Sequence, residues 1–362
     1  MGRKVTVVGC GVIGTSIAMA AARISDAVSG WDSDSGVLSR SAAASGLAPA
    51  TGIAEAVGGA DLVFVCTPIG SIPRLVAEVL RSASGAVVAD VGSTKSSVVG
   101  EVRSLAAAED LGRFVGSHPM GGSERSGPDA ASASLLDGAV WVLTPTQDTE
   151  AASAERLETW VSSVGAKPVR MDPVKHDRVV ALVSHLPQVV STSLMGLAAR
   201  EHEGVPETLL LAAGGFRDLT RLAASNPGLW ADILRSNREE LTAAIDLFVA
   251  ELGELRATLV SGSAEDLRRT LEEATRARLA LAARPQVKAG VAIVQVPVPD
   301  RPGALAELTA ALSARGVNIE DLQIVHSPEG GRGTVHLTLA GAEVGPATEA
   351  ARAGGFEVLR IA

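Results

Sequence analysis

Residues 4–23 read KVTVVGCGVIGTSIAMAAAR. The β-rich run KVTVV breaks at Gly9-Cys10-Gly11, and residues 12–24 carry helical composition. A strand, a glycine turn and a helix in that order make Gly9-x-Gly11-x-x-Gly14, with Val12 and Ile13 in the last gap, a dinucleotide-binding loop. The first glycine permits the tight turn, the second lets backbone approach a pyrophosphate, and the third packs helix on strand. The helix N-terminus then offers free N–H groups to the phosphates. Residues 27–32, AVSGWD, return to strand and end on Asp32, eighteen residues past Gly14. A carboxylate there accepts both ribose hydroxyls and repels a 2′-phosphate, and no Arg follows immediately, so NAD is expected over NADP. The other reading of Asp32 is a plain strand-end turn residue. Val65-Cys66-Thr67-Pro68 ends a further strand at the same sheet edge, which adds Thr67 and Pro68 to the expected cofactor contacts.

The same N-terminal residues support two rival readings. A basic start, an apolar middle and an Ala-x-Ala tail over 1–25 imitate a signal peptide. Met1-Gly2 with Thr6 also satisfies the loose myristoylation pattern. Strand, turn and helix account for these residues better, and no other segment reads as long and apolar enough to span a bilayer.

Working outward, candidate strands at 61–66, 86–90, 113–116 and 139–143 alternate with helices, notably 72–82 and 95–107. Such alternation predicts a mostly parallel sheet with helices on both faces, an α/β Rossmann domain over residues 1–148. From 149 to 284 the composition is almost entirely helical, with turns near 204–206, 226–228 and 261–263, and the apolar helices could supply a dimer interface. Ala283-Arg284-Pro285-Gln286 reads as a linker. Residues 290–362 resume the alternation in the order β-α-β-β-α-β, a small α+β ferredoxin-like domain. A chain of 362 residues is long enough for these three domains. Its formal charge of −9 argues against nucleic acid or an anionic membrane as a partner. Two cysteines, Cys10 and Cys66, point to reduced thiols in the cytoplasm and not to a disulfide framework.

A nicotinamide cofactor implies hydride transfer, and a donor alcohol needs a base for its hydroxyl proton. His118 sits in FVGSHPMGGSERSG (114–127), pinned by a proline in a glycine-rich loop. A neutral imidazole there is the expected base. Ser93, in ADVGSTKSS, follows a strand end near the same edge; its hydroxyl could bridge substrate and imidazole, or cap the helix that starts near Lys95. In GGFRDLTRLAASNPGLW (214–230), Gly214, Asp218, Arg221 and Ser225 share one helical stripe, suited to an anionic ligand; Asp218 and Arg221 could equally be a local ion pair. His185, in Ser184-His185-Leu186-Pro187, is either a buried core histidine or a ligand contact. His176, nine residues earlier, would point the opposite way on one continuous helix. No HExxH or clustered Cys/His spacing occurs, so no catalytic metal is expected.

The ordered set GCGVIGTSIA, DVGSTK, GSHPMGGSERSG, HDRVVALVSHLP and GGFRDLTRLAASNPGLWADIL resembles the prephenate dehydrogenases of tyrosine biosynthesis over residues 3 to about 283. That resemblance implies a Rossmann domain followed by an all-helical dimerisation domain. The activity it implies is NAD-dependent oxidative decarboxylation of prephenate to 4-hydroxyphenylpyruvate. It casts His118 as the base and Ser93 as the group orienting it. Arg221 becomes the partner of a substrate carboxylate and His185 the contact to the pyruvyl end. Gly214 and Trp230 line the pocket, and Glu124 tunes its charge. Family members often read S-H-L-P-H, whereas here Gln188 stands in the last place. Residues 296–327, VPVPDRPGALAELTAALSARGVNIEDLQIVHS, resemble an ACT domain, with Asp300, Gly303 and Asn318 at the matching effector positions. Tyrosine is the expected effector, a homodimer the expected assembly. Arogenate dehydrogenase is the alternative activity, and a catalytically inactive NAD- and amino-acid-binding sensor the remote one.

Overall fold

A computed structural model describes residues 2–121, 127–283, 291–326 and 332–361. The chain divides into two compact units, residues 1–255 and 256–362. The first begins β1 (Lys4–Val8), α1 (Val12–Arg23), β2 (Ala27–Trp31), α2 (Ser35–Ser45), β3 (Ala48–Pro49) and α3 (Ile53–Val57). It continues with β4 (Leu62–Val65), α4 (Ile72–Ser82), β5 (Val87–Asp90), α5 (Ser96–Leu105), β6 (Phe114–Pro119), β7 (Val140–Thr144), α6 (Ala151–Ser163) and β8 (Lys167–Arg170). These strands form one sheet in the order β3-β2-β1-β4-β5-β6-β7-β8. The chain winds from β1 to β3 on one side, then crosses to β4 on the other. That reversal leaves a crevice beyond the carboxyl ends of β1 and β4, where open α/β sheets bind ligands.

β1, β4 and β5 are nearly continuous runs of buried aliphatics, as a strand covered on both faces requires. The sheet is parallel except at β6 and β7, where Gly116–Pro119 pair antiparallel with Trp141–Thr144. It does not stop at residue 148, the expected domain boundary. The apolar face of α6 buries Leu157, Trp160 and Val161 in the core around β1 and β4. Phe64, Trp141 and Trp160 cluster there, with ring centroids 4.6–6.1 Å apart. β8 then pairs with β7, so burial of those aromatics carries the α/β domain through Arg170.

The helical layer follows as α7 (Pro173–Val180), α8 (Leu186–Gly204), α9 (Glu207–Leu210), α10 (Gly214–Thr220), α11 (Pro227–Ser236) and α12 (Arg238–Ser261). Asp172 caps α7 by accepting the Val174 and Lys175 N–H groups, and Pro173 fits the first turn. α7 and α8 run on through a single π-turn, Ala181–His185. Pro187 has no N–H to give the preceding turn, and its ring crowds the carbonyl four residues back; the widened turn absorbs both. The reading that no other segment is apolar enough to cross a membrane is corrected here. Pro173–Gly204 is one helix of 32 residues with a window of mean hydropathy 1.4. Its buried side nonetheless carries His176, Asp177 and His185.

The second unit holds the end of α12, then α13 (Ala264–Ala283), β9 (Val291–Pro299), α14 (Ala304–Ser313), β10 (Ile319–His326), β11 (Arg332–Ala340), α15 (Val344–Ala353) and β12 (Arg360–Ile361). The order β-α-β-β-α-β and the sheet β10-β11-β9-β12 match the ferredoxin-like expectation. Alternate residues of β9 and β11 (Val294, Val296, Leu337, Leu339) pack on Leu308, Leu312 and Ala351 of the two helices.

Candidate active site

The three glycines of the first turn behave differently, and each difference is steric. Gly9 has φ +95°, and a Cβ there would lie 2.7 Å from the Cys66 carbonyl oxygen. At Gly14 it would collide with the Gly9 carbonyl oxygen. At Gly11 it would meet no atom within 4 Å. Gly9 and Gly14 therefore serve the fold, whereas Gly11 keeps open a space that protein atoms do not fill. Gly11→Ala is expected to leave the melting temperature within about 2 °C, the scatter of a surface change of about 0.5 kcal/mol, and to weaken dinucleotide binding at least tenfold in a fluorescence titration. Gly14→Ala should destabilise by at least about 1–3 kcal/mol, because backbone opposes backbone.

A cavity of about 380 Å³ opens here, lined by Gly9, Gly11, Asp32, Thr67, Pro68 and Arg74 among others. Val12 and Ile13 begin α1. Asp32 stands just past β2. Its Oδ2 accepts the Cys10 N–H at 2.7 Å and its Oδ1 the Asp34 N–H at 2.9 Å. Those bonds aim the carboxylate at the glycine loop. The open face at Gly11, the helix N-terminus and this carboxylate together fit a dinucleotide.

Beyond β5 and β6 lies a buried polar cluster. Asp90 ends β5, and its carboxylate holds the Lys95 ammonium while accepting the Gly92 and Ser117 N–H groups at 2.8 and 3.1 Å. Lys95 Nζ also donates to the Ser117 carbonyl at 2.7 Å. Strand alternation turns Ser117 inward, where Trp141 Nε1 donates to its hydroxyl at 3.0 Å. His118, the next residue, faces the other way and is half-buried.

His118 Nδ1 meets His176 Nε2 at 2.9 Å, and His176 Nδ1 meets Asp177 Oδ1 at 2.8 Å. The same carboxylate accepts the Lys95 and Ser96 N–H groups, each at 2.7 Å. Those are orphan donors of α5, so Asp177 caps that helix from a neighbouring element, and Ser93 does not cap it. Ser93 lies half-buried in the β5–α5 loop, one strand from His118. Asn237 Nδ2 donates to the Asp177 backbone carbonyl at 2.8 Å, which fixes that atom as the amide nitrogen. Its second contact, 3.1 Å to His185 Nδ1, therefore makes Nδ1 an acceptor and leaves the ring proton on Nε2. Trp230 packs edge-on against His185 at 6.1 Å. α11, which carries Trp230, is tied to the β5–α5 loop by a Thr94–Ser236 hydroxyl bond of 3.0 Å.

Electrostatics keeps both candidate histidines neutral. Burial, the nearby Lys95 charge, His176 and His185 hold His118 well below its ordinary value. Burial takes His185 down to about 4, with Asp177 opposing the shift and His176 adding to it. Burial alone would raise Asp177, but hydrogen bonds from His176 and from Ser96 and Lys95 outweigh it, and its carboxyl lies below the usual range. In the unfolded chain the two histidines take protons near pH 6.5, which the folded chain refuses. Stability should therefore fall as pH drops from 6.5 toward 4, and His185→Gln should flatten that slope in melting curves.

Other expected residues stand apart from this cluster. α10 ends at Thr220 and a 3₁₀ turn takes over at Arg221–Ala224. Gly214, Asp218, Arg221 and Ser225 thus share no single α-helical stripe, because the rotation per residue changes at Arg221. Gly214 and Arg221 are exposed. Gln188 is buried and donates to the Leu222 carbonyl at 2.9 Å, while Ser191 accepts the Ala223 N–H at 3.0 Å. Both latch the Arg221-bearing turn to α8. Glu124 lies outside the described residues. In the second unit, Asp300 and Gly303 precede α14, with Gly303 at its N-cap, whereas Asn318 follows its far end, about 15 Å away along a ten-residue helix. One copy does not gather these three effector positions. Sequence reasoning missed His176, Asp177 and Asn237 as site residues.

Three family models match the chain in order. The nucleotide-binding domain of prephenate dehydrogenase covers residues 18–170, its dimerization domain 172–273, and the ACT domain 292–353. Prephenate dehydrogenase of Bacillus subtilis (strain 168) is 34% identical over 283 residues, 77% of this chain and 76% of its own. Cyclohexadienyl dehydrogenase of Zymomonas mobilis is 34% identical over 226 residues, 61% of this chain and 75% of its own. Among solved structures, prephenate dehydrogenase from A. aeolicus in complex with hydroxyphenyl propionate and NAD+ superposes with TM-score 0.71 at 29% identity, covering 78% of this chain and 99% of that one. Synechocystis arogenate dehydrogenase gives TM-score 0.69 at 27% identity, covering 77% and 99%.

Proposed function

The chain belongs to the prephenate dehydrogenase family, and from that premise we propose that it catalyses the NAD-dependent oxidative decarboxylation of prephenate to 4-hydroxyphenylpyruvate. The observation that carries this reading is His118 itself. It is a neutral imidazole on the sheet edge beyond the dinucleotide crevice, with one ring nitrogen engaged by His176. Bound along Gly11, Asp32 and Thr67, NAD supplies the hydride acceptor. The protein's part is to remove one proton and hold the substrate's anionic groups. His118 takes the ring hydroxyl proton, with Ser93 orienting that hydroxyl. His185 offers its Nε2–H to the pyruvyl end. Arg221 holds a carboxylate, where a charged hydrogen bond contributes about 1.5–3 kcal/mol. Loss of carbon dioxide makes the ring aromatic, which drives the step forward.

Arogenate is the competing substrate, with an amino group where prephenate has its keto oxygen. The similarity to cyclohexadienyl and arogenate dehydrogenases keeps it in play. We further assign the chain to the cytoplasm, as a homodimer. Burial pushes the free Cys10 thiol up to about 12, which suits an unreactive thiol in a reducing compartment. Exposed Leu182, Val183, Leu210 and Leu211 on the helical layer suit a partner copy. The ACT domain is assigned to feedback by tyrosine through Asp300, Gly303 and Asn318. The deciding experiment is NADH formation with prephenate and arogenate in parallel, each with and without tyrosine. Prephenate turnover supports the main reading, arogenate turnover alone transfers it to the alternative, and turnover of neither points to the inactive sensor.

A further inference from the structure

His118 must keep a lone pair on the nitrogen that meets the substrate hydroxyl. An isolated neutral imidazole divides its proton between Nδ1 and Nε2, so part of the population would present N–H to a group it should deprotonate. The surroundings of His118 remove that ambiguity. Asp177 is a buried anion bonded by two backbone N–H groups, and an anion can only accept. Its third partner, His176 Nδ1, must therefore carry a proton. With that single ring proton His176 keeps a lone pair on Nε2, and that atom lies 2.9 Å from His118 Nδ1. His118 Nδ1 must donate across this contact, which places the free lone pair on Nε2.

We infer that His176, oriented by Asp177, is a positioning residue that fixes His118 in the Nδ1–H tautomer and so makes its Nε2 the proton acceptor. The inference rests on the base role proposed for His118. The proton balance is simple: the substrate hydroxyl proton passes to Nε2, and the imidazolium formed keeps its Nδ1–H on His176. Its charge is then one ring away from the Asp177 carboxylate. The other charged and titratable groups around the pair are Lys95 and Asp90 from the β5–α5 side and His185 from the helical layer. The two candidate histidines end in opposite tautomers. His118 receives at Nε2, and His185, held by Asn237, offers a proton from Nε2.

The test uses the full-length chain labelled with ¹⁵N-histidine. Six histidines keep the spectrum assignable, with His118 identified by its loss in His118→Asn. At pH 7.5, long-range ¹H–¹⁵N correlations should show His118 and His176 both protonated on Nδ1 and bare on Nε2. A His118 proton on Nε2 overturns the inference. In kinetics, His176→Leu should lower kcat about 10²-fold while KM for NAD changes less than threefold. His176→Gln, whose amide oxygen can accept the Nδ1–H, should recover at least tenfold of that loss. Equal activity of the Leu and Gln variants would reduce His176 to packing. If His176→Leu fails to fold, the wild-type spectrum decides. Failure of the wild type to oxidise prephenate and arogenate would overturn the base role, and the inference with it, whatever the tautomer. A reversed tautomer in an active enzyme would overturn the inference alone.

Discussion

His118→Asn should lower kcat by about 10²–10⁴-fold, the usual weight of a positioned general base, while leaving NAD affinity and melting temperature near wild type. Asparagine is the informative replacement because its Nδ2 lies close to where the imidazole carries Nδ1. The 2.9 Å bond to His176 Nε2 can therefore survive while the lone pair at Nε2 disappears. Alanine would remove both and confound chemistry with packing. The pH dependence supplies a second reading of the same residue. Burial and the Lys95 charge hold His118 well below its ordinary value, so it stays neutral and competent in mildly acid solution. The acid limb of kcat/KM in wild type should accordingly fall below pH 6.5, and the residual activity of His118→Asn should lack that limb. A kcat within tenfold of wild type would place the base elsewhere.

The route to His118 shows what a sequence can disclose. Residues 4–8, 72–82 and the β-α-β-β-α-β order after 290 were legible because each depends on local composition and on turns that punctuate it. Gly11 was legible from the spacing of the glycine motif, and a Cβ there would meet no protein atom. The partners of His118 were not. His176 is 58 residues away, Asp177 is 82 residues from the Lys95 N–H that it accepts, and Asn237 reaches back 60 residues to Asp177. The spacing of His176 and His185 misled for a different reason. Nine residues at 100° each point opposite ways on a uniform α-helix, but the π-turn at 181–185 rotates less per residue. Both imidazoles are buried, and His176 is near enough to act on the proton affinity of His185. The one local hint was Pro187, which could not continue the helix without some such distortion. The domain boundary moved for a related reason: α6 is amphipathic in sequence, but only the tertiary fold reveals that its Trp160 completes a cluster with Phe64 and Trp141.

Lys95→Met should cost about 3–5 kcal/mol of stability, the loss typical of breaking a buried pair by removing one partner. The ammonium and the Asp90 carboxylate are both fully buried, and methionine leaves the carboxylate with only the Gly92 and Ser117 N–H groups for partners. The Ser117 carbonyl loses its donor as well. Since Asp90 and Ser117 lie on adjacent strands and Ser117 precedes His118, the disturbance reaches the site through the Ser117–His118 peptide. Adding Asp90→Asn should return part of the stability, because the uncompensated charge is then gone; a double-mutant cycle in denaturant isolates the coupling. Two effects of Lys95 can be separated in the single variant. Its positive charge lowers the affinity of His118 for a proton, so removing it should move the acid limb of kcat/KM to higher pH. If Lys95 only filled space, methionine, of similar length and apolar, would lower stability little and leave the limb where it was. A shift of the limb together with the stability loss would assign to one buried cation both the closure of the β5–β6 edge and the neutrality of the base it lies beneath.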